Sequence, residues 1–358
     1  QQSRGLERRQ PLQADVAGGT TCLAMALEYH GFPAHAALIE PCVHPYGNLD
    51  LGEVPAELAR YARMMGFSAQ HYNHGDVQRI CDHLQSGHTV TVMMNCRGGT
   101  GHIVNVIAVR HDAQGEIADV VLRNPWGFDE CISKDQMVHE WSRMRQARDN
   151  FIGRCLPVFN CAYVVVAPLE EKLCAPSFAN RLHSAPVDLL VSGLNGLGGS
   201  LTTMRNGHAV SGGLQLVGNV LKVMIGLPAY IIGNFVGKNL EFGGQDLVLG
   251  SNALSNAPCH RILGQICGHS MQVVGQAVSL SGGLVAWIFD VLIWPLTFSG
   301  HRASGRDAIA QHLASADDAR LVALLSRAFP GARTHQMTAL LRGSGPRAQA
   351  HQAAAAAC

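Results

Sequence analysis

Gly18-Gly19-Thr20-Thr21-Cys22-Leu23-Ala24-Met25-Ala26-Leu27 runs a glycine-rich loop straight into a helical pattern, and its cysteine decides how the chain is read. Leu23, Ala26 and Leu27 recur at helical spacing and give the segment a buried face. Thr20 is placed to cap the first turn and Gly31 to end the helix. A cysteine in a first turn sits at the positive end of the macrodipole, among backbone N–H groups without intrahelical partners, so its thiolate is favoured. The competing reading is a buried, inert thiol, the usual state of a free cysteine on an apolar helix.

Two downstream segments bear on that choice. Gly101-His102-Ile103-Val104-Asn105-Val106-Ile107-Ala108-Val109 opens with a histidine and continues as a β-branched run behind Arg97-Gly98-Gly99-Thr100. Val120-Val121-Leu122-Arg123-Asn124-Pro125-Trp126-Gly127 reads as a strand ending in an amide side chain and a turn. Between them His111-Asp112-Ala113-Gln114-Gly115 reads as a hairpin turn, which makes the strands antiparallel neighbours. Asn124 can then accept from the His102 imidazole and fix its tautomer, completing the nucleophile, base and orienter of acyl transfer. Asp112 and Asp129 compete with Asn124 for the orienting role.

The order Cys22, His102, Asn124 resembles the papain-like cysteine peptidase superfamily. Cys22-Leu23-Ala24-Met25-Ala26 followed by Tyr29-His30-Gly31, and the Gly101-His102-Ile103-Val104 start of the histidine strand, are similar to the C39 (bacteriocin-processing) branch. Leu122 to Gly127 instead looks like the calpain and papain version of the third motif. The resemblance covers residues 10–168 and implies an α+β domain whose cysteine helix packs on an antiparallel sheet carrying the base. It also implies an oxyanion-hole glutamine before the cysteine. Gln13 occupies that place at a longer interval than is usual, with the Cys22 backbone N–H as second donor.

The remaining elements of this half read as helices over residues 54–65, 76–84 and 133–141 and strands over 68–72, 89–94 and 161–166. Eleven cysteines are scattered without a C-x-x-C pair, which argues against a disulfide scaffold and for a reducing working environment. Cys259, His260, Cys267 and His269 do not share one helical face, so no metal is expected there, and no cofactor elsewhere. A net charge of +1 and the lack of a basic stripe exclude nucleic acid as an expected partner. Gln1 to Arg9 has no apolar core of the kind a secretory leader needs.

Charged residues make up only 15% of the chain, against about a quarter in ordinary soluble domains, and the deficit lies in the second half. A linker is expected over 169–186, a hydrophobic and mostly helical domain over 187–342, and a mobile low-complexity tail over 343–358. Residues 207–237 carry Lys222 as their one full charge and residues 278–298 carry Asp290. Each run is long enough to cross a bilayer, which takes about 20 apolar residues, yet Pro228, Asn219, Asn234 and Asp290 interrupt them. The expectation is a compact helical domain that becomes membrane-associated rather than one that spans constitutively. Gly193 to Ser200 is glycine-rich but lacks the lysine of a phosphate loop, and the chain is too short for an exporter with an ATPase. Amphipathic helices are expected over 308–314, 317–329 and 336–341.

The expected function is therefore a cysteine-dependent amide hydrolase acting on a protein or peptide, with Cys22, His102, Asn124 and Gln13 as its site. Joined to a membrane-associating domain, it resembles a bacterial effector or toxin delivered to a target-cell cytosol. A glutamine deamidase or acyltransferase would use the same triad. A third reading makes the first half an idle binding module and the second half the membrane-active part.

Overall fold

The computed structural model describes residues 18–30, 54–64, 67–96, 99–168, 170–254 and 256–315, with side chains as far as residue 298. Gln13, the loop containing Pro41, Pro45 and Gly47, the helices expected over 317–329 and 336–341, and the tail lie outside those residues. The architecture is α+β, an antiparallel-sheet domain followed by a helical domain with two apolar helices.

The first domain contains α1 (Gly18–Tyr29), α2 (Pro55–Met64), β1 (Ser68–Tyr72), α3 (Val77–Gln85), β2 (Thr89–Asn95), β3 (Gly101–His111), β4 (Ile117–Asn124), β5 (Phe128–Ser133) and α4 (Lys134–Trp141). It continues through β6 (Met144–Arg145), α5 (Phe151–Cys155), β7 (Pro157–Phe159) and β8 (Tyr163–Ala167). Six strands form one sheet in the order β1-β8-β2-β3-β4-β5, every neighbour antiparallel. β2 and β8 are buried along their whole length because helices cover both faces of the sheet centre.

Strand alternation divides the core in two. Ile103 and Ile107 of β3, with Met93, Val164 and Val166, pack against α1 and α2. Val104 and Val106, with Val92, Val165 and Leu122, pack against α3 and α4 around Trp141. A register shift between Val106 and Ala108 then lets Val109 also face α3 and α4.

α1 begins at Gly18, earlier than a Thr20 cap would place it. Thr20 and Thr21 are buried inside the helix, and Cys22 is its fifth residue rather than a first-turn residue. Packing explains the difference: every residue from Gly18 to Leu27 is buried, and that contact overrides the weak helix propensity of glycine and threonine.

Residues 170–186, within the expected linker, are tied to the first domain by polar side chains. Ser177 caps α6 (Phe178–Leu182) by accepting from the Asn180 N–H at 3.2 Å. Asn180 and Asn73 then exchange three hydrogen bonds of 2.7–2.9 Å, fixing the segment to the turn after β1.

The second domain comprises α7 (Ala185–Arg205), α8 (Ala209–Tyr230), a π-helical stretch (Ile231–Lys238), α9 (Asn239–Asn252) and α10 (Pro258–Ser315). Pro228 does not end its helix. The chain continues through it and widens into the π-helical stretch that begins at Ile231. Two helical spans, Ala209–Asn252 and Pro258–Phe298, are long and apolar enough to cross a membrane. Only 33% and 28% of their most apolar windows are buried, so neither is an ordinary core helix.

Their polarity is inverted. Val210, Leu214, Val217, Met224, Leu227, Ile231 and Phe235 are exposed at helical spacing, while Gln215, Asn219, Lys222 and Asn234 are buried. Inside the bundle Thr203 donates to Gln215 Oε1 at 2.8 Å and Asn219 Nδ2 donates to Ser200 Oγ at 3.0 Å. Lys222 and Asp290, the single charges of the two apolar runs, face each other at 3.9 Å.

Glycines allow the spans to touch. A Cβ on Gly282 would lie 2.5 Å from the backbone of Gly233, and one on Gly275 would lie 2.4 Å from the Glu241 amide nitrogen. Neither backbone can yield as a side chain could. Gly282→Leu should therefore destabilise the chain by about 1–3 kcal/mol through overpacking. Gly250→Ala, where a Cβ meets nothing within 4 Å, should be neutral or stabilising. Thermal unfolding of both variants checks this, and equal midpoints would contradict the close approach.

Candidate active site

The hairpin of β3 and β4 brings His102 and Asn124 together. His102 is the second residue of β3 and pairs with Met94 of β2, while Asn124 closes β4. Asn105 pairs with Arg123, so Asn124 and His102 fall diagonally on one face of the sheet. The imidazole Nε2 lies 3.1 Å from Asn124 Oδ1, and both side chains are buried.

The chemistry of Asn124 fixes the tautomer. Its Oδ1 also accepts from the Trp126 backbone N–H at 3.0 Å. A backbone N–H can only donate, so the atom receiving it is the amide oxygen, and His102 Nε2 must carry a proton to share that oxygen. Nδ1 is left with its lone pair, as a general base requires. The Trp126 ring stacks on the imidazole, with centroids 4.3 Å apart and planes 24° from parallel. It shields the His102–Asn124 bond while remaining 45% exposed on its outer side.

The competing carboxylates are engaged elsewhere. Asp112 accepts from the Gln114 and Glu116 amides, both at 2.9 Å, and shapes the hairpin turn. Asp129 forms a two-pronged pair with Arg123 at 2.8 and 2.9 Å.

Cys22 approaches from the other side of β3. It is fully buried in α1 among Ile103, Ile107 and Met93, and its thiol donates to the Ile103 carbonyl at 3.5 Å. Its own carbonyl accepts from Asn105 Nδ2 at 3.0 Å, while Asn105 Oδ1 accepts from Thr91 Oγ1 at 2.6 Å. This chain of three residues ties the cysteine helix to β2 and β3. Ile103 and Asn105 face α1, whereas His102 has the parity of Val104 and Val106. The structure thus joins His102 to Asn124 and sets the Cys22 thiol beside the neighbouring residue, across the strand from the imidazole.

Trp126, Asn105 and Thr91 are site residues to which no role was assigned from sequence. Asn105 carried a signal, since it is the one polar residue between Ile103 and Val109. Cys259, His260, Cys267 and His269 are spread along α10 and exposed. No family model matches the chain, and no curated protein is significantly similar to it.

Burial holds the His102 imidazole below its ordinary 6.5, with the Asn124 hydrogen bond opposing only in part. The unfolded chain therefore binds this proton at higher pH than the folded one. The resulting stability is complete above about pH 6.5 and is lost progressively as pH falls toward the lowered folded value. Trp126→Ala admits water to the ring, so the imidazole should titrate closer to 6.5. Following the ring carbons by NMR against pH checks this, and an unmoved midpoint would show that Trp126 does not shield the pair.

Proposed function

We propose that the first domain is a papain-like thiol hydrolase, closest in plan to C39-type peptidases, with Cys22 as nucleophile, His102 as base and Asn124 as orienter. The observation that carries this reading is the His102–Asn124 pair, tautomer-fixed and covered by Trp126, in the same hairpin that meets the cysteine helix. Nothing in a purely structural strand end requires an imidazole to be held with its Nδ1 unprotonated. Catalysis needs Nδ1 and the thiol to meet at the open end of β3, where His102 follows Gly101, and needs the thiol to leave the Ile103 carbonyl. Attack of the thiolate on an amide carbonyl would then form an acyl-enzyme as the amine leaves with the His102 proton. Water resolves it in a peptidase or deamidase, and a second amine in an acyltransferase. Gln13 is retained as the proposed oxyanion donor from outside the described residues.

The second domain is proposed to contact lipid through its exposed apolar faces. Buried polar groups within the bundle and large apolar side chains outside it, including Trp287, Val291, Leu292 and Trp294 of α10, support this. The sheet domain holds the opposite face: Tyr230 Oη and Asn234 Nδ2 both donate to the Pro157 carbonyl, at 3.0 and 3.3 Å. Such a chain fits a bacterial effector or toxin that works at a membrane in a target cell. A second reading, an idle first domain carrying a membrane-active second one, is favoured by the placement of Cys22 and His102 on opposite sides of β3.

Alkylation of each cysteine by iodoacetamide near pH 6, read by peptide mass spectrometry, separates the two. The hydrolase reading expects Cys22 to react well ahead of the others and to slow about tenfold or more in His102→Ala, with hydrolysis falling about 10²–10⁴-fold. A Cys22 no faster than the exposed Cys131 and Cys174 would favour the idle domain. Leakage of anionic vesicles should survive Cys22→Ala if the helices act on lipid, and no leakage by either protein would remove the membrane role.

A further inference from the structure

His74, His183 and Glu241 meet at the junction of the two domains. Their ligand atoms all lie within 4.8 Å of one another. Each residue comes from a different part of the chain: His74 from the turn after β1, His183 from the C-terminal end of α6, and Glu241 from the first turn of α9. His74 takes a positive φ of 54°, a conformation uncommon for a residue with a side chain. The His74 and His183 rings stand edge to face with centroids 4.3 Å apart.

The hydrogen bonds of the cluster are incomplete where a cation would sit. Glu241 is fully buried, and its Oε1 is 2.9 Å from His74 Nε2 and accepts from Asn160 Nδ2 at 3.3 Å. Glu241 Oε2 and His183 Nδ1 are both buried without a hydrogen-bond partner. His183 is itself buried, with the His74 ring and Lys238 alongside. Lys238 is also buried here and donates to the His183 carbonyl. Its ammonium is the competing positive charge.

We infer that His74, His183 and Glu241 bind a zinc-class divalent ion that clasps the apolar helices to the sheet domain. Two imidazoles and a carboxylate are borderline ligands that suit zinc and leave its fourth position for water. A tetrahedral zinc with bonds of about 2.0–2.1 Å holds its ligand atoms about 3.4 Å apart, so small side-chain rotations convert the present cluster into a site. Because the ligands come from the sheet domain, the linker segment and the membrane-length helix, the ion cross-links all three. The clasp does not depend on the hydrolase reading.

The test titrates zinc chloride into the full chain, stripped by chelator, against a chromophoric competitor near pH 7.5. One equivalent should bind, weakened at least 100-fold in His74→Gln and in Glu241→Gln. His74→Gln alters a partly exposed side chain, and so remains informative if Glu241→Gln fails to fold. Cobalt substitution should give weak d–d bands without thiolate charge transfer. Strong charge transfer, or undiminished binding by both variants, would assign the metal to cysteines and overturn the site. Zinc should also slow hydrogen exchange across residues 231–252, and unchanged exchange with zinc bound would overturn the clasp.

Discussion

The register of β3 between β2 and β4 is the constraint on which the first domain depends. Side chains alternate along it, so one set meets the cysteine helix and the other meets α3 and α4. Met94 opposite His102 and Asn105 opposite Arg123 set that alternation at both edges of the strand. A slip by one residue would turn His102 toward α1, bury Asn105 among the valines and separate the imidazole from Asn124. Two features resist it: the Thr91–Asn105–Cys22 chain and the bulge beyond Val106. The polar residue in the middle of an apolar strand is thus a register pin, because only one alignment satisfies both ends of its amide.

Much of this half was legible in the chain itself. Alternation located β1 without error, β2 and β8 to within two residues at either end and β4 to within three, because half-buried and fully buried strands leave strong local patterns. The turn Asp112-Ala113-Gln114-Gly115 declared the β3–β4 hairpin, and that hairpin declared the His102–Asn124 pair. β5 went unread because Phe128-Asp129-Glu130-Cys131-Ile132-Ser133 is an edge strand with little buried surface, and its partner rather than its composition makes it a strand. The start of α1 was misplaced because capping preference is a small term beside ten consecutive buried residues. Which side of β3 the thiol would occupy had no sequence signal, since parity and bulges are set by pairing.

The second domain shows a different limit. Its apolar runs were plain, but composition alone does not say which face of a helix looks outward. Lys222 and Asp290 read as the lone charges of two separate runs and become neighbours only once the helices pair. The glycines of α10 at 268, 275 and 282 fall on one stripe and let its backbone approach Gly244, Gly237 and Gly233. Residues 169–186 read as a linker because they lack an apolar run. The order of residues 170–186 comes from Ser177 and Asn180, two short polar side chains satisfying backbone groups.

The inverted helices also govern how the protein behaves in water. Large side chains such as Val210, Met224, Leu263, Val273 and Leu292 are turned outward and are as poorly suited to water as any core exposed by unfolding. A surface of this kind favours any contact that takes it out of water, detergent in the hands of the biochemist included. The protein's usable concentration is then set less by folding stability than by how completely those faces are covered.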